Sequence, residues 1–273
     1  MNGTDVFDEI VRIKNDGDVA ALATVISAKG STPRAEGSKM LIKNDKSIVG
    51  SIGGGCLEAD VWQVGMKVIE EGKSRLLNFD LTGREETPEG LICGGTMQVF
   101  IEPIIPVPAI FIFGAGHIGF AVSKIAKMTG FKVAVIDDRP AYANTEKFPD
   151  ADEFYVEDLA DAVPRLPINK VSYLIIACRG HLEDQRVLAQ VIKTPAAYIG
   201  MIGSKKKTKT IFENLKAEGI DEKLLERVHA PIGLPIAAET PEDIAVSIMA
   251  EIVDFRRRKN GQYLAALSPS NSV

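Results

Sequence analysis

Residues 109–119, AIFIFGAGHIG, join an unbroken apolar run to the glycine pattern G-x-G-x-x-G. The run Ala109–Phe113 has the length and composition of a buried strand. Glycines at this spacing allow a tight turn, bring the backbone close to a phosphate, and let the following helix pack on the strand. The stretch therefore predicts the first strand and phosphate-binding turn of a Rossmann-type domain. The glycines of this turn are Gly114, Gly116 and Gly119.

Downstream of the glycine turn, apolar runs alternate with segments of helical character. A helix is predicted from about His117 to Thr129, and a last helix begins with Thr240 as its N-cap and Pro241 as its first residue. This alternation predicts a parallel sheet with helices on both faces. Four further strands are expected at Lys132–Ile136, Glu153–Val156, Tyr173–Ala177 and Ala197–Ile199.

Upstream of this domain the pattern is mixed, with helical spacing in two segments and strand-like runs in four others. We predict a smaller N-terminal domain of the α/β or α+β class, whose strand order the sequence leaves open. A cluster of three prolines is unsuited to a helix or a central strand and predicts a short, stiff linker. The expected parts of this α/β chain are an N-terminal domain at 1–102, a linker at 103–108, a Rossmann-type domain at 109–259 and a polar tail at 260–273.

Asp137 ends the second strand of the predicted Rossmann-type domain, 23 residues after Gly114. An acidic residue at this point suits the ribose diol of a dinucleotide, although Asp138 and Arg139 follow it directly. The turn and Asp137 therefore keep two alternatives open. One is an NAD-dependent oxidoreductase, and the other is a nucleotide-binding structural subunit without chemistry of its own.

A second candidate phosphate contact follows the fifth strand, where Gly203, Ser204 and Lys205 open another helix. Ser204 can cap that helix, and the lysines from Lys205 onward place positive charge beside its N-terminus. The alternative interpretation is an ordinary solvated helix start.

Cys56 follows the glycines Gly53, Gly54 and Gly55 and directly precedes a helix expected to begin near Leu57. The N-terminus of a helix favours the thiolate form, which attacks, carries sulfur or binds soft metals. Cys56 is therefore the candidate reactive residue. Cys93 also lies beside glycines and is a second candidate for ligand contact, while packing is the alternative for both cysteines.

Three histidines are expected at the edge of the sheet where ligands of such folds bind. His117 lies within the glycine turn, His181 follows the fourth strand, and His229 precedes the last helix. Their spacing matches no standard zinc pattern, so we predict no dedicated protein metal site. We expect His117 and His181 to contact a ligand.

The composition restricts the classes of partner. The net charge is −5, which disfavours nucleic acid and anionic membranes. No apolar run approaches about 18 residues, and no export signal precedes the three cysteines. We therefore expect a cytoplasmic protein with free thiols. A homodimer is expected from the frequency of such assemblies among soluble proteins.

The chain resembles the XdhC/CoxI family, the accessory factors of xanthine dehydrogenase and related molybdenum hydroxylases. The strings around Cys56 and around Gly114 are specific in combination, and the resemblance spans most of the chain. It is carried by Gly30–Arg34, Gly50–Glu58, Cys93–Gly95, Phe113–Gly119, Asp137–Arg139, Tyr198–Ser204, Pro231–Leu234 and the helix after Thr240.

The resemblance implies a cofactor-binding factor more than a turnover enzyme. Such a protein would bind molybdenum cofactor in its molybdopterin form, assist its sulfuration, and insert it into an apo xanthine-dehydrogenase-like enzyme, with a cysteine desulfurase as a further partner. Cys56 would then contact the molybdenum or carry its sulfur. The glycine turn would hold the cofactor phosphate, a separate nucleotide or NAD. We expect the ligand cleft between the two domains.

One loop departs from the family pattern. After the fourth strand the family commonly has a Thr-His pair, whereas this chain has Cys178 and Arg179; the later His181 and Asp184 match. Ligand contacts in this loop can therefore differ from those of the family. A divergent subgroup with a different ligand is the alternative.

Overall fold

The computed structural model describes residues 5–81 and 94–259. Two predicted features, Cys93 and the tail at 260–273, lie outside the described residues. The chain divides into two compact units between Pro106 and Val107. In the described part of the chain, no helix is long and apolar enough to cross a membrane.

The N-terminal unit is built on a five-stranded antiparallel sheet with the order β3-β2-β1-β5-β4. Its class is therefore α+β, and the structure supplies the strand order that the sequence left open. Helix α2 buries the stripe that its spacing predicts, including Leu57, Val61 and Val68. The elements are α1 (Val6–Asn15), β1 (Ala20–Lys29), β2 (Lys39–Lys43), β3 (Ile48–Gly50), α2 (Gly55–Glu71), β4 (Arg75–Asp80) and β5 (Thr96–Ile104).

Strand β5 continues into the stretch that the prolines predict as a linker. Pro103 lies inside the strand and pairs with Ala21 of β1, and Ile104 ends it. The other neighbour, β4, begins at Arg75 opposite Ile101 and so does not extend beside Pro103. A proline that lacks an N–H is tolerated at such a local edge. The stretch predicted as a linker therefore begins inside β5, at a position where the rule against prolines in central strands does not apply.

The C-terminal unit contains a six-stranded parallel sheet with the order β11-β10-β9-β6-β7-β8. This is the doubly wound order of Rossmann domains, which reverses direction between β6 and β9. The five predicted strands are confirmed, and the two-residue strand β11 was missed because it is too short to show a pattern. The strands are β6 (Ala109–Phe113), β7 (Lys132–Ile136), β8 (Glu153–Tyr155), β9 (Ser172–Ile176), β10 (Tyr198–Met201) and β11 (Val228–His229).

Helices cover both faces of this sheet, as the alternation predicts. Phe111 and Phe113 point to one core with α4, α5 and α6, whereas Ile110 and Ile112 point to a second core with α3 and α8. A strand buried on both faces explains the unbroken apolar run at 109–113. The helices are α3 (His117–Met128), α4 (Leu159–Ala162), α5 (His181–Val191), α6 (Lys205–Ala217), α7 (Glu222–Leu225) and α8 (Pro241–Lys259).

Candidate functional site

The glycine turn after β6 is held between the ends of β7 and β9. Gly114 has a φ of +115°, and a Cβ atom added there would lie 2.2 Å from the carbonyl oxygen of Ala177. A Cβ atom on Gly119 would lie 2.3 Å from the carbonyl oxygen of Gly114. The first and third glycines therefore serve close packing, in agreement with the sequence interpretation.

Gly116 differs from these two glycines because it faces open space. A Cβ atom added there would meet no heavy atom of residues 5–81 or 94–259 within 4 Å, and the φ of −81° at Gly116 suits any residue. Gly116 directly precedes α3 and has no side chain with which to cap that helix. The first amides of α3 thus start at an open surface, and the exposed His117 is the first residue of the helix. This is the arrangement in which helix N-termini bind phosphate.

Asp137 lies beside the turn, but its carboxylate already accepts hydrogen bonds from other groups of the protein. Its carboxylate is buried at 2% exposure and accepts a hydrogen bond from the Ala115 amide at 2.8 Å. Arg139 donates to both carboxylate oxygens, from Nε at 2.7 Å and Nη2 at 2.9 Å. Burial alone would raise the pKa of Asp137, but these hydrogen bonds outweigh it and lower the pKa. This geometry favours a role in shaping the turn over the ribose contact expected from the sequence.

The loop after β9 is organised by Asp184, which is 1% exposed. Its carboxylate accepts from the Cys178 amide at 3.1 Å and pairs with the ammonium group of Lys207. The Cys178 thiol approaches the carbonyl oxygen of Phe113 at 3.7 Å, and burial strongly raises its pKa. Cys178 therefore packs as a neutral thiol. Arg179 is exposed and donates from Nη2 to Asp138 at 2.6 Å.

The three histidines do not form one group. His117 and His181 are exposed first residues of α3 and α5. His229 instead stacks on Tyr198 at a ring-centroid distance of 4.4 Å, and its Nδ1 lies 2.7 Å from Glu251. It therefore belongs to a packed polar network at β10, β11 and α8. Among the described residues, no group of three or more His, Cys, Asp or Glu side chains could hold a metal ion.

At the second predicted phosphate contact, two of the side chains that could bind an anion are already engaged within the protein. Ser204 caps α6, since its hydroxyl accepts from the Lys207 amide at 3.2 Å. The side chain of Lys207 turns toward Asp184 and passes close to Gly203. Lys205 is exposed at the first position of α6.

In the N-terminal unit, Cys56 is the exposed second residue of α2. The preceding glycines Gly53, Gly54 and Gly55 have φ values of +141°, +81° and +59°. A Cβ atom on Gly53 would lie 2.6 Å from the ring of Pro33, whereas Gly54 and Gly55 face open space. Three consecutive positive φ angles explain the glycine run, because other residues rarely adopt them.

Glu58 holds this loop in place, a role that the sequence interpretation missed. Its carboxylate accepts from the Ser51 hydroxyl at 2.6 Å and from the amides of Ile52 and Gly53 at 3.0 and 3.3 Å. Burial alone would raise the pKa of Glu58, but these hydrogen bonds outweigh it and lower the pKa. The available signal was an acidic residue in the first turn of a helix that follows a glycine loop.

Other strings that carried the resemblance meet at the same part of the N-terminal unit. The Gly94 amide donates to the Ser31 carbonyl oxygen at 3.2 Å, and a Cβ atom on Gly95 would lie 2.2 Å from the Lys29 carbonyl oxygen. Pro33, from the same loop, contacts Gly53 as described above. The conformations of these segments therefore depend on one another, and the loop of Pro33 packs against the glycine loop that precedes Cys56.

Each of the two units matches a known protein family. Residues 110–252 match the XdhC Rossmann domain, and residues 14–80 match the XdhC and CoxI family. The first match alone covers more than half of the 273 residues. The chain therefore belongs to the XdhC and CoxI family.

Three curated relatives are similar over most of this chain. The uncharacterized protein YqeB of Escherichia coli K12 is 33% identical over 258 residues, which are 94% of this chain and 47% of YqeB. The chain thus spans about half the length of YqeB. A probable xanthine dehydrogenase subunit of Bacillus subtilis 168 is 25% identical, covering 89% of this chain and 95% of the relative. PaoD of E. coli K12, a molybdenum cofactor insertion chaperone, is 19% identical, covering 88% and 84%.

Proposed function

We propose that this protein binds molybdenum cofactor and assists its insertion into a xanthine-dehydrogenase-like enzyme. Family membership supports the general role, as do the names of two relatives, a molybdenum cofactor insertion chaperone and a probable xanthine dehydrogenase subunit. The observation that carries the proposal is the open surface at Gly116, where α3 begins without a side-chain cap. The phosphate of the cofactor is the anion that this helix start would hold.

The finer proposal concerns sulfuration, in which a terminal sulfido ligand replaces an oxo ligand of the molybdenum. Cys56 is the candidate residue because its thiol is exposed at the second position of α2, beside two glycines that face open space. It would either contact the metal or carry, as a persulfide, the sulfur that a cysteine desulfurase supplies. In the second case a thiol reductant would supply the two electrons that release this sulfur as sulfide, becoming a disulfide, and the oxo ligand would leave as water. Either role requires a thiol that a bulky partner can reach.

The first test loads the protein with its proposed cargo. The protein and its Cys56→Ser variant would be purified anaerobically, mixed with molybdenum cofactor, a cysteine desulfurase and cysteine as the sulfur source, separated from unbound components and measured for molybdenum and cyanide-labile sulfur. We expect the variant to retain less molybdenum or to lose the labile sulfur, while a Cys178→Ala variant matches the wild type. Equal retention of metal and sulfur by Cys56→Ser would contradict the role of the thiol. A wild-type protein that retains no molybdenum would contradict the proposed function itself.

An NAD-dependent oxidoreductase is the second candidate, because the sheet order and the glycine turn are those of dinucleotide-binding domains. The engagement of Asp137 by Arg139 and Ala115 weakens it, since a ribose diol would have to compete with these donors. Calorimetric titration with NAD, in parallel with the cofactor, separates the two. Tight NAD binding without retention of molybdenum would favour the oxidoreductase. NAD binding without hydride transfer would favour the structural subunit.

The expected partners follow from the same proposal. They are an apo xanthine-dehydrogenase-like enzyme and a cysteine desulfurase, while the homodimer remains an expectation from the frequency of such assemblies. Size-exclusion chromatography with light scattering tests the homodimer, and co-purification from cells that produce the tagged protein tests the two enzymes.

A further inference from the structure

An ion pair links the loops on the two sides of the glycine turn. Strand β6 lies between β7 and β9 in the sheet, and the turn follows its carboxyl end. Arg179 comes shortly after β9 and Asp138 comes shortly after β7, yet Nη2 of the arginine lies 2.6 Å from Oδ2 of the aspartate. Because neighbouring strands are about 4.8 Å apart, this bond must span the position of β6. It therefore lies across the carboxyl end of the strand that carries the turn.

The two arginines at this edge are held differently. Arg139 is fixed by the buried Asp137, its Nε also lies 3.8 Å from Oδ1 of Asp138, and its Cζ lies 3.8 Å from the centroid of the Tyr142 ring. Arg179 makes its bond to an aspartate that is 41% exposed, and its own side chain is 57% exposed. An ion pair this exposed contributes little to folding and exchanges readily with other partners. Arg179 can thus move to a ligand without breaking a buried interaction.

We infer that Arg179 is a specificity-determining residue of the glycine-turn site, held by Asp138 until a phosphate-bearing ligand replaces that carboxylate. The inference rests on the proposed function, because it concerns the same turn. A guanidinium group can form two parallel hydrogen bonds with a phosphate as well as with a carboxylate. Arg179 would therefore remain paired with an anion when a phosphate replaces Asp138.

The experiment measures the affinity of the full-length protein for two probes, molybdenum cofactor and ADP, by calorimetry at fixed salt. Arg179→Gln should weaken binding about tenfold, as the loss of a charged hydrogen-bond partner implies. Asp138→Asn should strengthen binding several-fold, because it frees Arg179. In the double variant this gain should disappear. The matched control is the pair of Arg186 with Asp158, which is 51% and 40% exposed and lies at 3.1 Å. Arg186→Gln and Asp158→Asn should leave both affinities unchanged.

Each other outcome overturns the inference in a recognisable way. If Asp138→Asn weakens binding as much as Arg179→Gln does, the ion pair supports the site and does not compete with the ligand. If the gain from Asp138→Asn persists without Arg179, it comes from removal of a negative charge alone. If neither substitution matters while the wild type binds molybdenum cofactor, Arg179 makes no ligand contact and the proposed function still stands; if the wild type binds ADP alone, the proposed function fails. If the wild type binds neither probe, the proposed function fails together with the inference.

Discussion

Two glycine-rich turns precede the helices α2 and α3, and both are shaped by a carboxylate that accepts backbone amides. In the N-terminal unit, Glu58 accepts from Ile52 and Gly53, and a hydroxyl group completes its hydrogen bonds. In the C-terminal unit, Asp137 accepts from Ala115 and is neutralised by Arg139. Glu58 has no cation among these partners and lies two residues after the exposed Cys56, whereas Asp137 forms an ion pair with Arg139.

The difference shows how each turn leaves room for a ligand. At α2, three glycines with positive φ are needed to reach the helix, and Gly54 and Gly55 are left open. At α3, a single positive φ at Gly114 suffices, and the open position is Gly116. The N-terminal turn thus owes its form to backbone conformation, while the Rossmann turn owes its form to close packing between strands.

The largest effect is expected from Gly114→Ala. The new methyl group would meet the backbone of Ala177 at 2.2 Å in a backbone conformation that alanine rarely adopts. Backbone strain of about 1–3 kcal/mol and overpacking of about 1–3 kcal/mol should together lower the free energy of unfolding by about 3 kcal/mol or more. Urea unfolding followed by far-ultraviolet circular dichroism measures this loss. An unchanged midpoint would show that the turn tolerates a shift of β9.

A smaller loss is expected from Gly53→Ala in the other turn. Its φ of +141° is equally unfavourable for alanine, but the methyl group would meet the ring of Pro33, a side chain, and not a backbone. We expect a loss of about 2 kcal/mol. The single tryptophan, Trp62, lies in α2 and reports on this unit by fluorescence. Gly53→Ala should shift the Trp62 transition, and the absence of a shift would mean that the three-glycine conformation is not required.

The sequence predicted the Rossmann turn far better than the N-terminal one. The strand Ala109–Phe113 and the helix after Gly116 are local patterns, and the sheet order follows from general rules for alternating strands and helices. The role of Glu58 depends on the path of the glycine loop, which no spacing rule specifies. The ion pair between Asp137 and Arg139 was missed for a similar reason. Two charged residues that lie two positions apart in sequence need not pair, and only the side-chain geometry shows that these two do.

Glu58→Gln tests whether the carboxylate itself holds the N-terminal turn. Glutamine keeps one oxygen acceptor but loses the charge that strengthens the three hydrogen bonds. We expect a loss of about 1–2 kcal/mol in the Trp62 transition and faster alkylation of Cys56, because the loop before it becomes less ordered. Glu70→Gln, at the far end of the same helix, is the control. A variant with the stability and alkylation rate of the wild type would show that the backbone alone fixes this turn.

Acid should reduce the stability of both units. The pKa values of Glu58 and Asp137 are lower in the folded protein than in the unfolded chain. At a pH between the folded and the unfolded pKa values, the native state therefore binds fewer protons than the unfolded state. Their contribution is present above the unfolded values near pH 4 and is lost as the pH falls through the folded values. Urea midpoints should therefore decline below about pH 4.5. The Trp62 transition of Glu58→Gln should decline less than that of the wild type, and an identical decline would exclude Glu58 as a source.

The smallest effect on folding is expected from Gly116→Ala, which separates the fold of the turn from its use. A methyl group there meets no atom, and the φ of −81° suits alanine. Alanine is about 0.5–1 kcal/mol poorer than glycine as an N-cap, but it restricts the unfolded chain by a similar amount. The midpoint of the circular dichroism transition should thus remain within experimental error, while retention of molybdenum cofactor falls because the methyl group occupies the space in front of α3. Met128→Ala, at an exposed position on the far end of the same helix, is the control for binding. If Gly116→Ala retains the cofactor fully, the phosphate is held elsewhere, and the likeness between the two turns does not extend to ligand binding.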